Sequence, residues 1–315
     1  MSLPLTNEMA GKSSPSTRMP INVQTRMKEA GQYRAALHLS ALALVEDSSV
    51  SAAVPPPSGY ETRYQVALPY FGLFGYTVGS KRWLFDTNRI LFVSPGWEFR
   101  DDHPVPGVGH AALVINPSRA VLDEVCGGPG PDRNSAFMSV SRTSNMNVRL
   151  LMHQLLRMGA DFEGTVYKDE WVIHTLREAV AEPLVSNGRC SRLIDRAKEI
   201  LHAHGCERLS LDAIAKEVGV TPVYLTQEFS RLEGTPLYRY QLRLRLSRAL
   251  LELPHCNDIT GLALDLGFSS HSHFSSVFQK TFKLTPSEYR RSTQRPNLCV
   301  EEYLRSLRSK PGRAA

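Results

Sequence analysis

The sequence predicts an α+β protein, with an N-terminal β-barrel and helical hairpin followed by an all-α domain built from two helix-turn-helix units. Three observations point there. From Tyr60 to about Val140, short aromatic and β-branched runs alternate with Gly, Pro and Asp/Asn turns, the texture of a small antiparallel sandwich or barrel. Residues 146–180 then carry apolar positions at helical spacing. Near the C-terminus the chain says nearly the same thing twice. Ile214-Ala215-Lys216-Glu217-Val218-Gly219-Val220-Thr221 is echoed by Leu262-Ala263-Leu264-Asp265-Leu266-Gly267-Phe268-Ser269, a period of 48 to 49 residues.

At 315 residues the chain exceeds the usual span of one domain, and each of two domains can bury its own core. The expected division is a disordered segment over 1–58, a β-rich domain with the hairpin over 59–183, a linker over 184–190, the helical domain over 191–295 and a tail over 296–315. Net charge is +6 but unevenly spread: residues 189–295 hold 16 Lys+Arg against 11 Asp+Glu, whereas residues 1–188 hold 17 against 18. A basic excess around the repeat suits a polyanionic partner. Five cysteines, at 126, 190, 206, 256 and 299, are odd in number and form no Cys-x-x-Cys pair, so reduced thiols and a cytoplasmic location are expected. No apolar run approaches the roughly 18 residues of a membrane span, and the N-terminus lacks an apolar core followed by a small-residue cleavage site. No Gly-x-Ser-x-Gly, phosphate-binding Gly loop or Cys/His cluster organises the polar residues, so no catalytic residue, cofactor or metal is expected.

Residues 1–58 mix Ser, Pro, Thr and Met and end in Pro55-Pro56-Pro57-Ser58-Gly59, a composition that disfavours a fixed fold. Within them Gln32 to Val45, carrying Tyr33, Ala36, Leu37, Leu39, Leu42 and Leu44, reads as a short helix, and Met19 and Met27 stand as alternative starts. Strands are expected at Tyr64–Ala67, Phe71–Val78, Arg82–Phe85, Arg89–Val93, Glu98–Arg100 and Ala111–Asn116, with the Pro- and Gly-containing run between Val105 and Gly109 as a loop at the mouth. Met146–Met158 and Tyr167–Val180 then form the hairpin, which either closes its own domain or makes dimer contacts. His153 and His174 on these helices read as surface or interface residues, and Cys126 beside Gly127-Gly128 as a plain loop thiol.

In the repeat, Leu193–Ala203 is an amphipathic helix, and Ser210 caps a helix over Leu211–Val218 whose small Ala215 permits close approach of the next one. Gly219 suits the left-handed turn that ends a helix, and Thr221-Pro222 is an N-cap followed by Pro at the first helical position. Leu225 and Phe229 are expected inside, leaving Val223, Tyr224, Thr226 and Gln227 for a DNA groove and Arg231 for phosphate. The second unit runs from Asp258 to Gly267, buries Phe274 and Phe278 in its following helix, and offers His271, Ser272, Ser275 and Ser276 outward, with Lys280 for phosphate. Pro236–Leu253 joins the units as one helix bearing Arg239, Arg243, Arg245 and Arg248. Sixteen helical residues span about 24 Å, which with the flanking bundles approaches the ~34 Å of one DNA turn.

At these residues the chain resembles the AraC/XylS family of bacterial transcription regulators. The run carrying the resemblance is Ile259-Thr-Gly-Leu-Ala-Leu-Asp-Leu-Gly-Phe-Ser-Ser-His-Ser-His-Phe-Ser-Ser-Val-Phe-Gln-Lys-Thr-Phe-Lys-Leu-Thr-Pro-Ser-Glu-Tyr-Arg290, with weaker agreement at Thr221-Pro-Val-Tyr-Leu, Tyr240, Arg245-Leu246 and Ala249. The resemblance implies double-stranded promoter DNA and RNA polymerase as partners, and base readout at Val223, Thr226, Gln227, His271, Ser272, Ser275 and Ser276. Lys283 stands where the family has Gly, implying a different helix end or an added phosphate contact. Gln227 and Ser276 stand where Arg is frequent, so the guanine contacts made there are not carried over.

The β-rich half looks like the cupin-type barrel that many members use to bind an effector. Cupin metal sites need a His-x-His run with a downstream Glu and His, and here His103 and His110 are seven apart without such partners. Tyr76, Trp83, Phe85, Trp97 and Phe99 are candidates to line an apolar pocket, with Arg82, Arg100, Asp102 or His103 orienting an unidentified small-molecule effector at its rim. The expected function is sequence-specific promoter binding, more an activator's than a repressor's, coupled to effector sensing or homodimerisation. The rivals are a cupin-like metal-dependent enzyme with a helical appendage, and a DNA-binding regulator without an effector.

Overall fold

The computed structural model describes residues 31–126, 140–159, 164–181, 191–205 and 209–293. Its N-terminal half has three layers. A six-stranded antiparallel sheet, in the order β1-β2-β9-β4-β7-β10, lies between a four-stranded antiparallel sheet, β3-β8-β5-β6, and a helical hairpin. The strands are β1 (Gln32–Leu39), β2 (Ala43–Val50), β3 (Ser58–Tyr60), β4 (Gln65–Phe71), β5 (Phe74–Val78), β6 (Lys81–Phe85), β7 (Arg89–Val93), β8 (Glu98–Asp102), β9 (His110–Pro117) and β10 (Ser141–Thr143).

Burial on both faces explains the composition of the central strands. Along β4, β7 and β9, Val66, Leu68, Ile90, Phe92, Leu113 and Ile115 face the helices, and the alternate residues Ala67, Leu91, Val93, Ala112 and Val114 face the small sheet. The hairpin comprises α2 (Met146–Met158) and α3 (Thr165–Ala181), which set Val148, Leu151, Met152, Leu155, Trp171, Val172 and Leu176 on the large sheet. A short helix, α1 (Arg119–Val125), capped by Ser118, and the strand β10 lie where the sequence suggested neither.

The disordered segment expected over 1–58 is overturned for residues 32–58, and so is the helix over Gln32–Val45. Gln32–Val50 forms an antiparallel pair, β1 and β2, and β2 adds to β9 in an unbroken register from Ala43↔Pro117 to Val50↔His110. The leucines at 37, 39, 42 and 44 fit a period of two as well as a helix. The open edge of β9, whose backbone groups need partners, decides for the strand. Residues 1–30, the 184–190 linker and the 296–315 tail lie outside the described residues. His153, expected at the surface or an interface, is buried within the chain at 2 % exposure, and burial with the neighbouring Arg149 and Arg157 charges drives its pKa down to about 3. Burial raises the Cys126 thiol pKa, the opposite of a reactive thiol.

The C-terminal half contains α4 (Arg192–Ala203), α5 (Leu211–Val218), α6 (Pro222–Glu233), α7 (Leu237–Glu252), α8 (Ile259–Asp265), α9 (His271–Phe282) and α10 (Pro286–Thr293). Two cores serve it. One gathers Ile194, Ala197, Ile200, Leu201, Ile214, Ala215, Leu225, Phe229 and Tyr240, the other Leu246, Leu250, Leu262, Ala263, Phe274, Phe278, Phe282 and Tyr289. Lys283 does not change where α9 ends: it adopts the left-handed conformation, φ 62°, that glycine favours. Lys283→Gly should therefore stabilise the protein by up to about 1 kcal/mol in urea denaturation, since relief of the Cβ strain exceeds glycine's entropic cost. A lower midpoint in the variant would show that the Lys283 side chain earns its place another way.

Candidate nucleic-acid interface

The two helix-turn-helix units are built alike to the hydrogen bond. At the end of α5, Val220 N–H donates to Ala215 O (2.9 Å) and Gly219 N–H to Lys216 O (3.2 Å). At the end of α8, Phe268 N–H donates to Ala263 O (3.0 Å) and Gly267 N–H to Leu264 O (2.8 Å). Each is the paired closure of a helix on a left-handed glycine, with φ 81° at Gly219 and 77° at Gly267. Ala215 and Ala263, both fully buried, let the following helix approach.

The turns then diverge by one residue. Thr221 Oγ1 caps α6 through Tyr224 N–H (3.3 Å), whereas the cap of α9 is Ser270, through His273 N–H (3.1 Å), not Ser269. The interval is thus 48 residues up to the glycine and 49 beyond it, as Leu225 and Phe229 answer to Phe274 and Phe278. That is why the sequence period reads as two numbers.

On α6, Val223, Tyr224 and Gln227 are exposed beside one another. Thr226 is half-buried and its hydroxyl donates to Pro222 O (2.9 Å), turned toward its own helix. Arg231 is exposed and engages Glu228 through Nε (2.9 Å). On α9, His271, Ser272, Ser276 and Lys280 are exposed, while Ser275 is half-buried with its hydroxyl 3.3 Å from His271 Nε2. Two further exposed residues share this face, His273 and Gln279. Their spacing from Ser272 and Ser276 could have revealed them, had the two buried phenylalanines been used to draw the helix surface.

The arginines of α7 serve the fold more than the charge pattern suggested. Arg245 Nη1 donates to Gly267 O (3.0 Å) and so pins the second turn. Arg248 pairs with Glu252 and lies over the Phe71 ring of the sandwich at 5.4 Å. Arg239, beside the exposed Tyr238, remains at the surface.

The two halves are joined by a buried polar network that the sequence did not disclose. From the sandwich, Arg89 forms a two-pronged ion pair with Glu233 at the end of α6, both oxygens at 2.8 Å from Nη2, and Lys198 of α4 reaches the same carboxylate at 2.7 Å. Asp86, in the turn before β7, accepts from Tyr240 of α7, from His202 of α4 (3.0 Å) and from Asn88 N–H (2.8 Å). Arg149 of α2 donates to Ser247 Oγ (2.7 Å) and Arg243 O (3.0 Å) of α7 and to Asn88 Oδ1 (2.7 Å). Apolar residues cross the boundary too: Leu150 of α2 joins the core of the second unit, and Leu251 of α7 joins that of the sandwich.

Burial alone would raise the Asp86 carboxyl, but the hydrogen bond and charge of His202, with Lys198 and Tyr240, hold it well below the ordinary range. Glu233 is likewise held down against burial by Lys198 and Arg89. Both contributions are complete above the unfolded carboxylate value near about 4 and drain away as pH falls through and below it. The melting-temperature gap between wild type and Asp86→Asn should accordingly be widest near neutrality and narrow below about pH 4. A gap that persists unchanged into stronger acid would mean that Asp86 is not held as a carboxylate.

Of the effector-pocket candidates, Trp83 and Trp97 are half-buried at the same cluster between the sheets as Tyr76, Phe85 and Phe99, together with Phe74. Arg100 does not join them: strand alternation puts it on the opposite face of β8 from Phe99, exposed. His103 engages His110, Nε2 to Nδ1 at 3.0 Å, and His110 stacks on Phe74 with ring centres 4.1 Å apart. Burial holds both imidazoles below their ordinary pKa, His110 at about 3. Among the described residues, no group of three or more His, Cys, Asp or Glu is placed to hold a metal ion, and no helix is long and apolar enough to cross a membrane.

Residues 214–292 match the family model described as a helix-turn-helix domain. The regulatory protein SoxS of Salmonella typhimurium is 34% identical over 100 residues, 31% of this chain and 94% of the relative. The HTH-type transcriptional regulator GlxA of Rhizobium meliloti is 34% identical over 154 residues, 45% of each chain, and the regulatory protein PocR of Salmonella typhimurium is 32% identical over 96 residues, 30% of this chain and 32% of the relative. The chain thus spans less than half of two of these relatives and nearly all of the third. Among solved structures, a transcriptional regulator with an AraC-type DNA-binding domain from Chromobacterium violaceum is 37% identical, covering 33% of this chain and 94% of that one, with a TM-score of 0.31. Because SoxS is matched over 94% of its length at 34% identity, and residues 214–292 match the helix-turn-helix family model, the chain belongs to the AraC/XylS family of transcription regulators.

Proposed function

We propose that the chain is a promoter-binding transcription regulator which lays α6 and α9 into successive major-groove segments on one face of the duplex, while the N-terminal sandwich senses a small molecule. The observation that carries this is the pair of identically closed turns, each presenting an exposed polar helix, held apart by the single helix α7. Val223, Tyr224 and Gln227 of the first reader, and His271, Ser272 and Ser276 of the second, face the base edges; Arg231 and Lys280 serve phosphates. Thr226 and Ser275 take part through their methyl and methylene surfaces, since their hydroxyls are already engaged. RNA polymerase is the expected protein partner, and the face of α3 bearing exposed Val166 and Tyr167 is the candidate homodimer contact. No enzymatic step is assigned.

The test is selection of bound duplexes from a random pool by the wild-type protein, followed by the same selection with two variants. Gln227→Ala should relax preference at one base position, with a cost of about 1–3 kcal/mol against the best duplex. Arg231→Ala should weaken all duplexes alike and lower the slope of binding against salt by about one. If neither variant alters duplex binding, α6 is not in a groove.

A further inference from the structure

We propose that the inner face of the four-stranded sheet binds a small organic ammonium ion, held between the carboxyl groups of Asp101 and Glu61 and enclosed by Tyr76, Trp83, Trp97 and Phe99. This rests on the reading of the sandwich as the sensing domain and names the chemistry sensed there. Strand register sets the residues in rows: Trp83, Tyr76 and Asp101 are cross-strand neighbours on β6, β5 and β8, and Val78, Phe99 and Gly59 form the next row. Glu61, just past β3, is fixed beside Trp97 by two backbone bonds, Glu61 N–H to Trp97 O (2.9 Å) and Gly96 N–H to Glu61 O (2.8 Å). Its carboxylate accepts from Gln65 Nε2 (2.8 Å) and from the Tyr76 hydroxyl (3.3 Å), which orients it toward the same face.

Asp101 is the decisive residue. It is only 8 % exposed, and its Oδ1 is fully buried without a hydrogen-bond partner. Such an atom costs stability unless something satisfies it, and the chemistry around it favours a cationic donor. Two carboxyls repel an anion, and half-buried aromatic rings attract a cation over their faces; Tyr76 and Phe99 are already stacked with centres 5.4 Å apart. The neighbouring Asp102 does not compete, because it is bound by Arg82, Nε to Oδ2 at 2.7 Å. Arg34, the cation whose charge acts on Glu61, also stands 3.8 Å from Glu46. Burial, then the Glu61 and Asp102 charges, hold the Asp101 carboxyl well above its ordinary range, and burial raises Glu61 against the Tyr76 hydrogen bond and Arg34. An ammonium group between them opposes both shifts, so its binding releases protons at any pH where either carboxyl is still protonated.

The full-length chain should be titrated with benzylammonium, phenylacetate and benzyl alcohol, following tryptophan fluorescence, melting temperature and, by calorimetry in buffers of different ionisation heat, proton release. Benzylammonium should bind with proton release and the other two should not. Asp101→Asn, which keeps the side-chain shape, should weaken benzylammonium by at least about tenfold and reduce the proton release; Glu61→Gln should weaken it as well. Equal binding of phenylacetate or benzyl alcohol, binding indifferent to Asp101→Asn, or no binding of benzylammonium overturns the assignment. The sensing role is read separately, from affinity for a selected duplex with and without benzylammonium: binding without a change in duplex affinity upholds the site and overturns the sensor.

Discussion

Glu233→Ala should cost the folded protein about 3–5 kcal/mol, among the largest losses available to a single substitution outside an apolar core. The carboxylate is 7 % exposed and is shared by Arg89 of the sandwich and Lys198 of α4, themselves 10 % and 3 % exposed. Removing it leaves two buried cations facing each other with only the charge of Asp86 to offset them, and most of their desolvation is then uncompensated. Glu233 is the last residue of α6, so the same change frees the end of the first reader from the sandwich. Urea denaturation should show a lowered midpoint, and limited proteolysis should cut between the halves sooner in the variant. Arg89→Met with Glu233→Met should recover only part of the loss, because Lys198 is still left buried without its carboxylate; adding Lys198→Met, which removes the last charge of the triad, should recover more. An unchanged midpoint in Glu233→Ala would mean that the halves are not joined through this carboxylate.

The position of that residue shows what the sequence could and could not disclose. Local rules were sufficient wherever a short stretch decided its own conformation: Thr221-Pro222 opened α6, Gly219 and Gly267 closed the helices before the readers, and Arg89–Val93 and Met146–Met158 were read to the residue. They failed where the deciding partner was distant in the chain. Leucines 37 to 44 have no helical or extended preference until the edge of β9, some seventy residues on, offers its backbone. Arg89, Lys198 and Glu233 are unremarkable charges in sequence and become a buried triad only once α4 and α6 dock on the turn before β7. Asp101 is hidden for the same reason: its burial comes from the register of β8 on β5, not from its neighbours in the chain. The arginines of α7 show the same limit, since two members of the basic excess around the repeat are drawn inward, Arg245 by Gly267 and Arg248 by the Phe71 ring.

Phe278→Ala should separate the two readers. Phe278 is fully buried at the centre of the second unit, with ring centres 5.6 Å from Phe274, 4.6 Å from Phe282 and 5.8 Å from Tyr289. Truncating it removes those contacts and leaves a cavity among aromatic rings that cannot collapse freely, a loss of about 3–5 kcal/mol against a domain stability of the same order. The first unit has its own core around Leu225 and Phe229 and does not share this loss. Duplex affinity should therefore fall by about a hundredfold or more, the advantage of a linked second reader, while the base preference set by Gln227 survives in the shortened footprint. A full-length footprint in the variant would contradict the two-reader arrangement. Leu150 of the N-terminal helical hairpin lies in the same cluster, so α2 should loosen along with α9, visible as faster amide exchange in the hairpin. That response, in a helix of the N-terminal half, is what a mechanical connection between the second unit and the proposed sensing domain requires, and its absence would leave the polar contacts of Arg89, Asp86 and Arg149 to carry the coupling.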